Sequence, residues 1–360
     1  MRSIEVNLPL NSYEIRIGGG LLEQIPGCLK ELGFKDRAVL ITNPIVNELY
    51  GKQLIESLKS GGFKVTVLEV PDGEEEKSLE RAGKLYTELS EVKAERLTPV
   101  LALGGGVIGD LAGFVAATYM RGLPLIHIPT TLLAQVDSSI GGKVAVNHGH
   151  LKNMIGAFYQ PRLVISDTST LKTLPEKELG NGFAEIIKYG VIRDKELFSL
   201  IENNMEALKA LDESLIEEVV ARCAGIKAEV VTQDEKDTGL RNILNYGHTV
   251  GHGIEAVSEF RLSHGYGVAI GMVAAGMISQ RMGALPQIEM ERIRAVIEKA
   301  GLPTTVSGMD IEEILEAMKH DKKISGGKLK FILAEKIGEV FISDQVSAQT
   351  LEQVLKELKL

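Results

Sequence analysis

Three of the chain's seven histidines, His248, His252 and His264, fall close together. In Leu244-Asn-Tyr-Gly-His248-Thr-Val-Gly-His252 the first two are spaced i and i+4, which sets two imidazoles on one face of a helix at metal-ligand spacing. The glutamate that directly follows the first histidine in a zinc-protease helix is missing. His264, at the head of His-Gly-Tyr-Gly-Val-Ala-Ile-Gly, could add a third nitrogen. Glu185, on the otherwise apolar stretch Phe183-Ala-Glu-Ile-Ile-Lys188, could add a carboxylate. Such ligands suit an open, catalytic metal site. The same histidines could equally be exposed or structurally hydrogen-bonded, and His127 and His320 are read as structural.

A second constellation is Val100-Leu-Ala-Leu-Gly-Gly-Gly-Val-Ile-Gly-Asp110, a buried strand running into glycines and then a helix. Bare backbone N–H groups at a helix start let a pyrophosphate approach closely. The spacing is neither the usual Gly-x-Gly-x-x-Gly fingerprint nor a P-loop, and a ligand-free tight turn fits it as well. Asp110 in the first helical turn complements the helix dipole. The run Pro129-Thr-Thr-Leu-Leu-Ala-Gln-Val-Asp137-Ser-Ser-Ile-Gly-Gly-Lys143 is dense in hydroxyls and, by itself, reads as a solvated loop. Arg121, Lys143, Lys188, Lys227, Arg241 and the Lys322-Lys323 pair read singly as surface charge.

These residues need elements to hold them. Ile4, Val6 and Leu8, then Tyr13, Ile15 and Ile17, alternate either side of a turn and predict an edge hairpin. Short apolar runs at 38–41, 64–68, 100–103, 125–128 and 163–165 predict strands. Helical stretches near 45–59 and 78–92 separate the earlier ones, the pattern of a parallel sheet covered on both faces. From Pro175 onward the apolar residues recur at three and four, which predicts a mainly helical domain with one β element near 329–333. The boundary falls in the loop Asp167 to Pro175, giving domains of 1–172 and 173–360. No internal repeat interrupts this order.

With 360 residues, 44% hydrophobic and 25% charged, the chain suits about two ordinary globular domains. A net charge of −9 argues against nucleic acid or an anionic membrane as partner. Two cysteines, Cys28 and Cys223, exclude a disulfide framework and suit a reducing, cytoplasmic location. The N-terminus lacks the pattern of a signal peptide. The apolar window Pro99 to Met120 is too broken by glycine and Asp110 to span a bilayer. Glycine is in surplus, 38 residues where ordinary usage gives about 25.

Taken together and in order, the segments 104–114, 129–143, 183–188, 244–252 and 264–265 closely resemble the 3-dehydroquinate synthase family over essentially the whole chain. The resemblance implies an α/β N-terminal Rossmann-like domain with a parallel sheet and a mainly α-helical C-terminal metal-binding domain, as a homodimer. It implies NAD and a divalent metal, zinc or cobalt. The substrate would be 3-deoxy-D-arabino-heptulosonate 7-phosphate, cyclised with loss of phosphate to 3-dehydroquinate.

Position by position, the resemblance implies Glu185, His248 and His264 as metal ligands and turns His252 into a phosphate contact. NAD would lie against Gly105, Gly106 and Val107, with Ile108 and Gly109 following. Glu74 and Lys77 of Asp72-Gly73-Glu74-Glu75-Glu76-Lys77 would hold its ribose. Thr130, Thr131, Asp137, Lys143 and Lys152 would flank the nicotinamide, with Thr170, Leu171, Lys172 and Thr173 closing over it; Asp110 could reach either ligand. Lys227 and Arg241 would bind the substrate carboxylate. Lys143, Asn153, Asn245, His252 and one of Lys322 and Lys323 would bind its phosphate, joined by Arg121 from a neighbouring subunit. Asp137 and Lys188 complete the implied substrate set.

Two positions depart from the family pattern. Asn43 stands where an aspartate is common, and Tyr266 replaces the glutamate usual after His264-Gly265. Rival readings are another sugar-phosphate cyclase such as 2-deoxy-scyllo-inosose synthase, a metal-dependent polyol dehydrogenase that releases NADH, and a non-catalytic homologue. Lys227 and Arg241 together favour a substrate with a carboxylate.

Overall fold

The structure is a computed structural model that describes residues 1–149, 151–258, 262–324 and 329–359, with the backbone alone for 319–324. The chain divides into two compact units, Met1–Leu174 with Glu213–Lys236, and Pro175–Asp212 with Asp237–Leu360.

In the first unit, β1 (Arg2–Val6), β2 (Tyr13–Gly18), β3 (Arg37–Thr42), β4 (Lys64–Glu69), β5 (Val100–Gly104), β6 (Leu125–Pro129) and β9 (Leu163–Asp167) form one sheet in the order β1-β2-β9-β6-β5-β3-β4. β1 and β2 make the antiparallel edge hairpin, with Ile4 opposite Ile15, and every other pairing is parallel. Every residue of β5, β6 and β9 is buried, and His127, Ser166 and Asp167 alone break their apolar runs. Successive residues of β5 serve opposite faces. Leu101 and Leu103 join the core with Leu29, Leu54 and Leu58, while Val100 and Ala102 join Leu85, Leu111 and Val115 on the other side.

The polar run at 129–143 is not simply a loop. Pro129 ends β6, Ala134–Ser138 forms a π turn, and Lys143 opens β7 (Lys143–His148), which pairs antiparallel with β8 (Leu151–Phe158). Val144 and Val146 are buried against the helix Gly106–Thr118, where a Cβ on Gly113 would overlap Val144. Composition hid this ribbon because its alternation is short and follows a glycine pair.

The expectation that everything beyond 172 belongs to the helical domain needs correction at one helix. Glu213–Gln233 packs on β1, β2 and the 134–138 turn and clusters with the α/β unit. Its apolar spacing reveals a helix but does not say which sheet or bundle the stripe meets.

The second unit is helical as expected. Its helix Glu176–Ile192 is buried on all sides from Gly180 onward. Helices His248–Val257 and His264–Arg281 pack backbone to backbone, since a Cβ on Gly271 would overlap the Gly247 carbonyl and one on Gly251 would stand 2.9 Å from the Gly267 oxygen. The single predicted β element is a hairpin, β10 (Phe331–Lys336) and β11 (Glu339–Ser343), turning at Gly338 with φ +92°. Among the described residues no helix is long and apolar enough to cross a membrane.

Candidate functional site

Glu185 lies on the buried helix Glu176–Ile192, with only 1% of its side chain exposed. A carboxylate so desolvated requires cationic or proton-donating neighbours. Lys188, one turn on and equally buried, forms an ion pair with its Oε2. The other oxygen, Oε1, is 3.6 Å from His248 Nε2 and 3.5 Å from His264 Nε2.

Each imidazole is turned by a partner on its other nitrogen. His248 Nδ1 stands 3.2 Å from the Tyr246 carbonyl oxygen, which accepts a proton only from an Nδ1–H tautomer. His264 Nδ1 is 2.9 Å from Glu255 Oε1. Both Nε2 atoms therefore converge on the same carboxylate oxygen. One oxygen and two nitrogens, all within 4.8 Å of one another, are a hard-to-borderline donor set that suits a zinc-like cation with positions left open. The chemistry of the residues thus fits a divalent metal.

The two imidazoles differ in how readily they hold a proton. Burial drives His248 well below the ordinary imidazole value, with Lys188, His264 and His252 adding and Glu185 opposing. Burial also works against charge on His264, yet its hydrogen bonds to Glu185 and Glu255 outweigh this and lift it to about 10. The carboxylates here hold a positive charge in place.

The i,i+4 histidine pair is resolved by the helix rotation. The His252 ring is 5.3 Å from that of His248 and 6.2 Å from that of His264, on the same side. It does not join the Glu185 group but forms a second one with Glu255 and His264. Arg241, buried, and Asn245, exposed, lie on the turn Leu240–Asn245 just ahead of the His248 helix. The side chains of Lys322 and Lys323 lie outside the described residues.

In the α/β unit, β5 delivers Gly105 to the start of the helix Gly106–Thr118. A Cβ on Gly105 would stand 2.9 Å from Thr131 Cγ2, and one on Gly106 3.2 Å from Ser138 Oγ, so the turn closes only with bare backbone. Asp110 and Lys77 pair at 2.6 Å. Burial pushes the Asp110 carboxyl up, with Lys77 opposing and Glu74 adding. Glu74 Oε1 accepts from Asn147 Nδ2 at 2.8 Å.

Lys227 Nζ lies 2.9 Å from Asp137 Oδ1 and donates to the Asp137 carbonyl at 2.7 Å, because its helix belongs to this unit. Lys227 and Arg241, grouped by the resemblance, therefore sit in different units. Thr170 and Thr173 are tied to Tyr50, Leu171 is core, and Lys172 makes an exposed ion pair with Glu213. Thr130 is buried, while Lys143 and Asn153 are exposed on β7 and β8 near half-buried Lys152. Arg121 is exposed on the turn Tyr119–Arg121.

Asn43 has a local reason to be an amide. Its Oδ1 accepts from Val46 N–H at 2.8 Å while its Nδ2 donates to Asp72 Oδ1 at 2.7 Å; an aspartate would set two carboxylates together. Tyr266 packs over Gly180, where a Cβ would stand 3.2 Å from its ring.

Glu255 and Asn181 escaped the sequence reading. Asn181, one turn before Glu185, accepts the Gly265 N–H at 3.0 Å and so docks the His264 helix onto the Glu185 helix. Glu255 follows His252 at i+3, a visible same-face spacing, yet acids on helices are common and usually solvated.

Comparison with known proteins bears on both units. Residues 67–181 match the family model described as 3-dehydroquinate synthase N-terminal, and residues 182–324 the one described as 3-dehydroquinate synthase C-terminal. The chain is 52% identical to a 3-dehydroquinate synthase of Dehalococcoides mccartyi, covering 100% of both chains. It is 50% identical to that of Desulforamulus reducens, over 99% of this chain and 100% of the other. Among solved structures, 2-epi-5-epi-valiolone synthase from Streptomyces hygroscopicus, with NAD⁺ and Zn²⁺ bound, superposes with a TM-score of 0.91 at 27% identity, covering 98% of each chain. A 2-deoxy-scyllo-inosose synthase complexed with carbaglucose-6-phosphate, NAD⁺ and Co²⁺ superposes with a TM-score of 0.88 at 26% identity, over 99% of this chain and 100% of that one.

Proposed function

The chain belongs to the 3-dehydroquinate synthase family, and from that membership and the site we infer that it converts 3-deoxy-D-arabino-heptulosonate 7-phosphate to 3-dehydroquinate and phosphate, a step of the shikimate pathway. The observation that carries the chemistry is the convergence of two imidazole nitrogens on Glu185. The reaction runs through transient oxidation, β-elimination of phosphate, reduction and intramolecular aldol closure.

Glu185, His248 and His264 would hold a divalent ion, zinc or cobalt, and Gly105, Gly106 and Val107 the pyrophosphate of NAD. Bound there, the ion would polarise a substrate hydroxyl while NAD accepts a hydride and later returns it. Lys227 and Arg241 bind the carboxylate, and Lys143, Asn153, Asn245, His252 and Lys322 or Lys323 the phosphate. The phosphate-binding groups orient the leaving group, and the cations among them stabilise the charge it develops. We assign NAD binding to the α/β unit and metal binding to the helical unit.

We read the enzyme as a cytoplasmic homodimer in which Arg121 reaches the partner's substrate. Two features favour an interface at this surface. Met120 and Arg121 hold φ of 51° and 67°, conformations a non-glycine residue adopts at a cost. Met120, Met154 and Phe158 in the same unit are exposed apolar side chains.

The test is to incubate metal-loaded protein with catalytic NAD⁺ and the heptulosonate phosphate. Release of phosphate and dehydroquinate without net NADH is expected; stoichiometric NADH would establish a dehydrogenase instead. Arg241→Ala should raise the substrate KM at least tenfold more than that for NAD⁺, as loss of a charge-assisted carboxylate contact worth ~1.5–3 kcal/mol requires. Equal effects on both would remove Arg241 from the carboxylate site.

A further inference from the structure

Glu255 takes no part in the reading above, yet it touches the nitrogen of His264 that faces away from Glu185. The two histidines differ in what their Nδ1 atoms meet. His248 has the Tyr246 carbonyl at 3.2 Å. His264 also opens its helix, but its Nδ1 meets a side chain in place of a backbone carbonyl. Glu255 Oε1 supplies the acceptor at 2.9 Å. Glu255 is buried, so its geometry is fixed by packing. A Cβ on Gly267 would stand 3.0 Å from Glu255 Cγ and 3.3 Å from its Oε1, so Gly267 leaves the room that Glu255 fills.

We propose that Glu255 is the positioning residue of the metal centre, holding His264 in the Nδ1–H form so that its Nε2 lone pair faces the cation held with Glu185 and His248. A neutral imidazole carries one proton, and the hydrogen bond on one nitrogen decides which nitrogen is left to ligate. Glu255 also connects the two ligand helices, since it lies on the His248 helix two turns beyond His248. The proposal rests on the metal reading of Glu185, His248 and His264.

The test is zinc affinity of the full chain, by chelator competition, for wild type, Glu255→Ala, Glu255→Gln, Gly267→Ala and His264→Ala. Removing an outer carboxylate partner of a ligating histidine weakens metal binding ~10–100-fold, and that loss is expected for Glu255→Ala. Glu255→Gln keeps an oxygen that accepts the Nδ1 proton and should recover most of the affinity, with an unchanged visible spectrum of the cobalt-loaded protein. Gly267→Ala, which crowds Glu255 without touching a ligand but also sets a methyl group 3.1 Å from the Gly251 oxygen of the facing helix, should fall between them and carries the test should Glu255→Ala not fold. Zinc affinity within twofold of wild type in a folded Glu255→Ala or in Gly267→Ala overturns the proposal. So does an altered cobalt spectrum in Glu255→Gln, which would make Glu255 a ligand in a group with His252. Unchanged zinc binding in His264→Ala overturns the metal reading itself; its loss there with none in Glu255→Ala overturns only the positioning role.

Discussion

Lys227 and Asp137, ninety positions apart, meet through an ion pair of 2.9 Å and a bond from the Lys227 ammonium to the Asp137 carbonyl. This contact anchors the helix Glu213–Gln233 to the turn that follows β6. Lys227 is buried, and Asp137 keeps a quarter of its side-chain exposure. Lys227→Met should therefore destabilise the protein by about 1–3 kcal/mol, below the cost of breaking a fully buried pair, because water still reaches Asp137. Urea denaturation of the variant measures it; an unchanged midpoint would mean the pair contributes nothing to anchoring.

His248→Ala removes one of three ligands and leaves a cavity beside a buried carboxylate. The variant should lose zinc on dialysis, and phosphate release should fall at least ~100-fold, since Lewis-acid polarisation contributes several kcal/mol to such steps. Metal analysis alongside the rate checks both; full activity with no zinc retained would refute the ligand assignment.

The His248 and His264 helices owe their close approach to glycine. Gly271→Ala would drive a methyl group into the Gly247 carbonyl, and backbone cannot yield as a flexible side chain does. A loss of about 2–4 kcal/mol is expected, with zinc affinity falling as the ligands separate. Thermal unfolding with a metal titration would test it, and wild-type values in both would show that the helices slide apart freely.

His127 supplies the pH dependence. It is buried in β6, and burial lowers its imidazole to about 4 from an ordinary 6.5. The unfolded chain thus takes up a proton that the folded one refuses. Through His127 the native state is favoured above about pH 6.5, and this contribution is lost as pH falls from there toward 4, by about 3 kcal/mol in all. His127→Gln should flatten that part of the profile. Parallel wild-type and variant curves between pH 7 and 4 would contradict it.

Much was legible before any coordinates. Apolar runs located β3, β5, β6 and β9, because a strand buried on both faces leaves its signature in its own residues, and β4 at the sheet edge, half-buried, showed as a shorter run. Alternation located the β1–β2 hairpin for the same local reason. The β7–β8 ribbon and the second strand of the β10–β11 hairpin leave little trace in the sequence, because β8 is largely exposed and β11 is short and follows a glycine turn. Glu185, His248 and His264 could be named as candidates from residue type and spacing alone.

The sequence by itself therefore determined the two classes of domain, the order of the main-sheet strands and most of the side chains able to bind metal. These are written in near neighbours, through periodicity and residue chemistry. Only the tertiary structure decided that Glu255 meets His264 and that the Lys227 helix joins the α/β unit, and residue spacing alone left open whether His248 or His252 faces Glu185. Those outcomes depend on how helices distant in sequence rotate and approach through glycine contacts. An i,i+4 spacing puts two imidazoles on one face but leaves open which of them the neighbouring helix meets.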